Sequence, residues 1–134
     1  MTSSATDHAT RLDPALAAAL RRVVGDDALI TDPGALLVYE SDGLTAYCVR
    51  PRAVVAPRGT EQVAAVVRLL AEAGVPFVPR GAGTGLSGGA LALEGAVVLS
   101  LARMNRILSL DPANRRARVE PGVVNAHLSR AAAP

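Results

Sequence analysis

The feature that most constrains this chain is a glycine-rich run between two apolar strand patterns. Six of the 12 glycines, at positions 81, 83, 85, 88, 89 and 95, fall within fifteen residues. Glycine tolerates a positive φ and lets another group approach the backbone without meeting a Cβ. Successive N–H groups in such a loop can converge into an anion-binding hollow, so the run predicts a backbone site for phosphate.

The side chains of the run add to this donor set. It reads Pro79-Arg80-Gly81-Ala82-Gly83-Thr84-Gly85-Leu86-Ser87-Gly88, with hydroxyl donors at 84 and 87 and a positive charge at 80. Charge-assisted hydrogen bonds contribute about 1.5–3 kcal/mol each, which suits a diphosphate. We predict all ten residues as cofactor-binding candidates, and we expect a phosphate oxygen to occupy the space left by the absent Cβ of Gly83. The alternative is a flexible surface loop without a ligand.

Gly83, Gly85 and Gly88 match the dinucleotide fingerprint G-x-G-x-x-G, but the sequence around them argues against that fold. The fingerprint requires a helix directly after the loop, whose N-terminus holds the pyrophosphate. Only residues 89–95 precede the next strand pattern, which is too few for such a helix. A Walker A loop is excluded because no Gly-Lys-Ser/Thr follows. The sequence therefore predicts a diphosphate site made by the loop backbone itself.

The pattern before the loop predicts a strand–helix–strand unit. Residues 53–56 are apolar and β-branched at their centre, which favours a buried strand. Apolar residues then recur at helical spacing over 60–73, with Thr60 as the predicted N-cap and Gly74 as the end. A second strand is predicted at 75–78. Such a unit is a crossover, so its two strands should be parallel.

After the loop we predict a third strand at 96–101 and then a hairpin of 106–110 with 116–120. Residues 123–133 have a helical pattern. Because Pro134 falls inside that pattern without a capping glycine, we expect the domain to continue beyond it.

The first fifty residues predict a lead-in to the main domain. Residues 1 to about 11 are small and polar and are expected to be a disordered tail. Asp13-Pro14 predicts a helix start that ends at Gly25, and Asp32-Pro33 predicts a second, shorter helix. We therefore divide the chain into 1–50, a tail and helical lead-in, and 51–134, the main domain.

Composition limits the function classes. Half of the residues are hydrophobic but only 2% are aromatic, so the core must be built from Ala, Val and Leu. All 14 basic residues are arginine, and against 12 acidic residues the net charge is only +2. Nucleic-acid-binding proteins usually show a basic stripe with stacking aromatics, so no nucleic acid is expected. The single cysteine, Cys48, excludes an internal disulfide and a cysteine-based metal site.

In order and spacing, several segments resemble the FAD-binding domain of vanillyl-alcohol-oxidase (PCMH-type) flavoproteins. The likeness covers residues 13–134 and points to the branch of the glycolate oxidase catalytic D subunit and FAD-linked D-2-hydroxy-acid dehydrogenases. It is carried by Tyr39–Thr45, Ala53–Val63, the glycine run, Val98–Asn105 and Val119–Val123. It implies an α/β (α+β) fold in which residues 51–134 are the N-terminal part, or first subdomain, of the FAD-binding domain.

The resemblance also implies how FAD is held. Arg80 to Gly88 would wrap the pyrophosphate, and the Pro121-Gly122 turn would approach the flavin from the side. Some relatives bond the flavin covalently through a histidine in this loop. The matching position here is Thr84, so non-covalent FAD is expected. For Pro121 and Gly122 an ordinary strand-ending turn is the alternative.

The implied activity is oxidation of a 2-hydroxy acid of the glycolate or D-lactate type at its CH–OH group. No catalytic residue and no metal is assigned within this chain, which is expected to be inactive alone. Two alternatives stay open: a sister FAD-linked oxidase with another substrate, and a non-catalytic nucleotide-binding module. Expected partners are the substrate and electron-acceptor subunits. We expect a cytoplasmic protein without a transmembrane segment, with attachment at the inner membrane through partner subunits as the alternative.

Other chemically active residues are predicted to be structural. An isolated helical histidine such as His127 is more often a packing or surface residue than a base. Cys48 follows Tyr47 in a predicted loop and is interpreted as an unreactive thiol. Asp111 and Glu120 flank the hairpin and are interpreted as turn and surface charges, and 103–105 as a structural turn.

Overall fold

The structure, a computed structural model, describes residues 11–133, so the expected tail lies outside the described residues except for its last position. The helices and strands are α1 (Pro14–Val24), β1 (Leu29–Ile30), α2 (Pro33–Leu36), β2 (Ala53–Val55), α3 (Thr60–Glu72), β3 (Phe77–Arg80), β4 (Val97–Ser100), β5 (Ile107–Asp111), β6 (Arg116–Val119) and α4 (Asn125–Ala131). Short 3-10 turns at Asp26–Ala28 and Leu37–Tyr39 connect the early elements.

Four strands form one sheet in the order β1-β2-β4-β3. Strands β2, β4 and β3 are parallel, which confirms the predicted crossover unit and places the third strand between the other two. The edge strand β1 pairs antiparallel with β2 and was not predicted, because two residues are too few for a periodic signal.

The sheet has an apolar layer on each face. Alternate residues of β2 and β4, Ala53 and Val55 with Val97 and Leu99, join α1 and α3 in the larger core cluster. Val54 and Val98 face the opposite way and pack with Leu36, Ala92 and Tyr39. The core is built almost wholly of Ala, Val and Leu, as the composition predicts.

Two of the three predicted N-cap residues, Asp13 and Asp32, cap their helices in the structure. The Asp13 carboxylate accepts from the N–H groups of Ala15 and Leu16 at 2.9 and 3.0 Å, and Asp32 accepts from Ala35 at 2.9 Å. The Thr60 N-cap is wrong: Gly59 is the N-cap of α3 and makes no side-chain cap.

The predicted hairpin is present as β5 and β6, which form a separate two-stranded antiparallel sheet. Its turn is closed by Asp111, whose carboxylate accepts from the Asn114 N–H at 3.2 Å and from the Asn114 amide at 2.7 Å.

Candidate functional site

The glycine loop begins at the carboxyl end of β3, the end of a parallel strand at which α/β folds bind their ligands. Residues 81–96 contain no helix, as the spacing of the glycines predicts. Two loop glycines have positive φ, +72° at Gly83 and +76° at Gly88. These values lie in the left-handed region that favours glycine.

The loop backbone is a row of free donors. Within the part of the chain that the structure describes, no N–H group of residues 81–90 donates a hydrogen bond to the protein. Ideal Cβ atoms built on Gly81, Gly85, Gly88 and Gly89 meet nothing within 4 Å, so space lies open in front of the backbone at those positions. Free N–H groups beside open space are what a bound anion requires.

Arg80 lies beneath the loop. Arg80 is the last residue of β3, and it is only 8% exposed. Nη1 donates to the carbonyl of Ser41 at 2.8 Å and to that of Ala90 at 3.4 Å. The guanidinium carbon also lies 5.7 Å from the centre of the Tyr39 ring.

The position of the Arg80 side chain explains why residue 83 is a glycine. A Cβ at Gly83 would lie 2.6 Å from Nε of Arg80 and nearer still to Nη2. The space in question is therefore filled by the arginine side chain of the protein, and the expectation that it receives a phosphate oxygen is wrong.

The lead-in segment supports the loop from the other side. The Gly43 N–H donates to the Gly85 carbonyl at 3.1 Å, and a Cβ at Gly43 would lie 2.6 Å from the Thr84 carbonyl oxygen. The preceding Asp42 is buried, and its Oδ1 accepts from the Leu44 N–H at 2.9 Å, which closes the turn that presents Gly43.

A groove of about 740 Å³ runs along one side of the loop. It is lined by Ala82, Thr84, Ala102, Asn105, Pro121, Gly122, Val123, Val124, Asn125 and His127. The first half of the loop, the turn after β4 and the Pro121-Gly122 turn therefore meet around one cavity, although forty residues separate the first from the last.

The Pro121-Gly122 turn is held against the turn after β4. The Gly122 N–H donates to the Met104 carbonyl at 2.7 Å. A Cβ at Gly122 would lie 2.8 Å from that oxygen and closer to the Leu101 carbonyl oxygen, so no larger residue fits without a backbone shift.

Glu120 anchors the same turn, and its interpretation as a surface charge is wrong. The residue is only 8% exposed. Its carboxylate accepts from the Arg106 N–H at 2.8 Å and from Nη2 and Nε of Arg106 at 2.7 and 3.1 Å. These hydrogen bonds from Arg106 lower the pKa of Glu120.

Residues 103–105 are structural at the first two positions, as expected. Nη1 of Arg103 donates to the Asp27 carboxylate at 2.9 Å, and Arg58 contacts the same carboxylate at 3.0 Å. Hydrogen bonds from Arg58 and then Arg103 lower the pKa of Asp27. Met104 is buried, whereas Asn105 lines the groove.

The predicted site residues fall into three groups. Ala82, Thr84, Pro121 and Gly122 line the groove together. Gly81, Gly85, Leu86, Ser87 and Gly88 lie on the exposed part of the loop. Pro79 is an exposed residue of β3, paired with Leu99, and Arg80 lies under the loop with Gly83 against its guanidinium.

Sequence reasoning missed some groove residues. Ala102 and Asn105 follow the carboxyl end of β4, and that position in a parallel sheet is the signal that could have found them. His127 is interpreted from sequence as a packing or surface residue, whereas in the structure it lines the groove. Within residues 11–133 no cluster of three or more His, Cys, Asp or Glu side chains is placed to hold a metal ion.

The arrangement fits a dinucleotide. A diphosphate needs several donors on a backbone without side chains in the way, and the loop has both. A planar ring system needs a cavity beside those donors, and the groove of about 740 Å³ lies next to Ala82 and Thr84 of the loop.

Residues 51–134 match a family model described as FAD binding domain. The glycolate oxidase subunit GlcD of Escherichia coli strain K12 is 50% identical over 119 residues, which cover 89% of this chain and 24% of that protein. D-2-hydroxyglutarate dehydrogenase of Stutzerimonas stutzeri strain A1501 is 40% identical over 118 residues, covering 88% and 25%.

Among solved structures, substrate-bound p-cresol methylhydroxylase superposes with a TM-score of 0.79 at 28% identity, over 87% of this chain and 24% of that one. The chain thus spans about a quarter of the length of these proteins. No helix in the described residues is long and apolar enough to cross a membrane.

Proposed function

This chain belongs to the FAD binding domain family, and from that premise we propose that it is the pyrophosphate-binding part of a flavin-dependent oxidoreductase of 2-hydroxy acids. One observation carries the proposal. The N–H groups of residues 81–90 have no acceptor within the described chain, and they stand beside a groove that also touches the Pro121-Gly122 turn.

The residues divide between the two ends of the cofactor. Residues 81–88 would hold the diphosphate through their N–H groups, with the hydroxyls of Thr84 and Ser87 as further donors. Pro121 and Gly122 would border the groove in which the flavin ring lies. Thr84 offers no group that forms a stable bond to the ring, so we propose that FAD is held without a covalent link to this loop.

Bound FAD supplies the redox chemistry by accepting a hydride equivalent from the donor. The chain itself binds and orients the cofactor. His127 is the one titratable side chain among the described residues that line the groove. A hydroxy-acid oxidase also needs a carboxylate clamp and a base for the hydroxyl proton. We propose that these groups come from the larger part of the relatives' length that this chain does not span.

The substrate class is inferred from relatives. Two relatives that are 50% and 40% identical to this chain over the aligned residues are named as a glycolate oxidase subunit and a D-2-hydroxyglutarate dehydrogenase. Both names describe 2-hydroxy acids, which favours that class over the sister oxidases.

The partner is inferred from the name of a relative, and the location from the cysteine content of the chain. The E. coli relative is named as a subunit, so we propose that the reduced flavin passes its electrons to a separate acceptor subunit. We also propose a cytoplasmic location, which is favoured by the low cysteine content of the chain, one residue in 134.

The test is to compare FAD with FMN as ligands of the purified chain. FMN lacks the diphosphate, so we expect it to bind at least about tenfold more weakly than FAD, a difference of about 1.4 kcal/mol. Flavin fluorescence and the visible spectrum report binding. If neither flavin binds, the non-catalytic module is the better account, and if both bind equally, the loop does not hold the diphosphate.

A dye-reduction assay with glycolate or D-lactate tests where catalysis lies. With FAD added, the chain alone should reduce dye no faster than free FAD. Faster reduction would show that the groove already contains the catalytic groups, with His127 as the base.

A further inference from the structure

We propose that Arg80 is a positioning residue: the glycine loop is wound around its guanidinium, which fixes the direction of the loop N–H groups. The proposal rests on the proposed function, in which those groups bind the FAD diphosphate. It departs from the expectation, drawn from sequence, that Arg80 grips the phosphate itself.

The guanidinium connects the two parts of the chain between which the loop lies. One nitrogen, Nη1, donates both to Ser41 of the lead-in and to Ala90 at the end of the loop. The side chain lies on the sheet face of Val54 and Val98, because Arg80 follows Val78 by two residues and Val78 pairs with Val98. The loop therefore starts at β3, passes over this arginine, and returns to it.

Gly83 is the complement of this arrangement. Its positive φ turns the loop over the guanidinium, and the absence of a Cβ lets the backbone come against Nε, Cζ and Nη2. Gly88 has nearly the same φ, but a Cβ there meets nothing within 4 Å. Only one of the two glycines is therefore explained by the arginine.

A lysine cannot replace this residue. The planar guanidinium presents its donors in a fixed fork and stacks on aromatic faces, whereas an ammonium is a compact charge on a flexible stem. Arg80→Lys keeps the positive charge and loses the flat surface between Tyr39 and Gly83. It thus separates the shaping of the loop from simple attraction of phosphate.

The experiment measures two quantities in the full chain. The first is the rate of thermolysin cleavage before Leu86, a loop residue that is 69% exposed, in the absence of flavin. The second is the dissociation constant of FAD. The variants are Arg80→Met and Arg80→Lys, with Arg50→Met as the matched control, because Arg50 contacts Glu40 of the lead-in from the exposed side at 3.2 Å.

We expect both Arg80 variants to raise the cleavage rate and the FAD dissociation constant by about tenfold or more, since buried charge-assisted hydrogen bonds are lost. Arg50→Met should stay within about twofold of the wild type, as exposed ion pairs contribute little. The thermal midpoint of each variant shows whether the domain is folded, and Arg80→Lys serves if Arg80→Met does not fold.

The glycines provide a second, flavin-free arm. Gly83→Ala should raise the cleavage rate well above that of Gly88→Ala in the wild type. In the Arg80→Met background the cleavage rates of the two alanine variants should converge, because the two arginine atoms nearest the new Cβ, Nη2 and Cζ, are gone. Equal rates for the two in the wild type would overturn the proposal.

Two further results would also overturn it. If Arg80→Lys has the cleavage rate and the FAD dissociation constant of the wild type, the positive charge of residue 80 is sufficient and the shape of the guanidinium is not needed. Weak FAD binding with unchanged cleavage in Arg80→Met would show direct contact with the phosphate. If the wild type binds no FAD but the cleavage rates change as expected, the proposed function fails while the arginine still shapes the loop.

Discussion

Gly122, Gly83 and Gly43 differ from the other glycines around the site in having protein atoms where a Cβ would be. At Gly122 those atoms are carbonyl oxygens of the turn after β4, which cannot move as a side-chain tip can. The identity of this residue is therefore set by the docking of two turns that form one wall of the groove.

Replacing Gly122 by alanine should consequently damage the groove. We expect a loss of about 1–3 kcal/mol in the free energy of unfolding, typical of overpacking, together with weaker FAD binding. Urea unfolding and flavin titration measure the two effects. Gly89→Ala is the control, because a Cβ there meets nothing. Equal stability of the two variants would contradict the close contact at Gly122.

Glu120 gives the same turn a pH dependence. The hydrogen bonds from Arg106 lower its pKa in the folded state, so the folded protein holds the ionised form more strongly than the unfolded chain does. The resulting stability is present above about pH 4.3, the ordinary pKa of glutamate, and is lost as the pH falls through the folded pKa.

Thermal midpoints measured from pH 7 to pH 2 test this. The thermal midpoint of the wild type should decrease once the pH is below about 4.3. Glu120→Gln should start lower at pH 7 and fall less, because it has no proton to take up at this position. Parallel curves for the two proteins would show that Glu120 contributes nothing to the acid sensitivity.

At the scale of elements, α1 and α3 together cover one face of the sheet. Val66 and Leu70 of α3 are fully buried in the larger core cluster, which also contains residues of α1 and of the strands. A helix on this face leaves the opposite face of the sheet free for Tyr39, Ala92 and the arginine that underlies the loop.

Shortening Leu70 to alanine should therefore cost about 2–5 kcal/mol of unfolding free energy, since it leaves a cavity in the core. Val38→Ala, at a position that is 72% exposed, should change it by less than about 0.5 kcal/mol. Chemical denaturation of both variants checks the difference. A small effect at Leu70 would mean that α3 is not held as the structure shows.

Most elements could be predicted because their signals are local. The β-branched run of β2, the helical spacing of α3 and the aspartate caps depend on neighbours within a few residues, and all appear in the structure. The predicted second strand was shifted by two residues: Val75 and Pro76 precede β3, which extends to Arg80.

The rest depends on contacts that sequence spacing does not encode. The burial of Glu120 follows from Arg106, fourteen residues away, and the role of Gly83 follows from an arginine whose side chain folds back under the loop. The meeting of Asn105 with the loop depends on the order of strands in the sheet. A phosphate-binding loop was predictable, whereas its support was not.

For the molecule as a whole, the site combines the end of a parallel sheet with a loop whose N–H groups have no acceptor within the described residues. The family and the fold are shared with flavoproteins that are about four times longer. We propose that this chain supplies the floor and one wall of the cofactor site.

Whether FAD is bound covalently can be tested on the whole protein. Because the loop has threonine at position 84 and contains no histidine, acid precipitation of the FAD-loaded protein should release all of the yellow colour into the supernatant. Flavin that remains on a peptide containing residues 80–88 would contradict a non-covalent link.

If the N–H groups of the loop bind the diphosphate of FAD, amide chemical shifts will show it most directly. In a titration of the ¹⁵N-labelled chain with FAD, we expect the largest shifts at residues 81–88, with further shifts at 121–127 on the groove. FMN, without the diphosphate, should leave the loop shifts much smaller. FAD binding that leaves the amides of 81–88 unmoved would contradict the account.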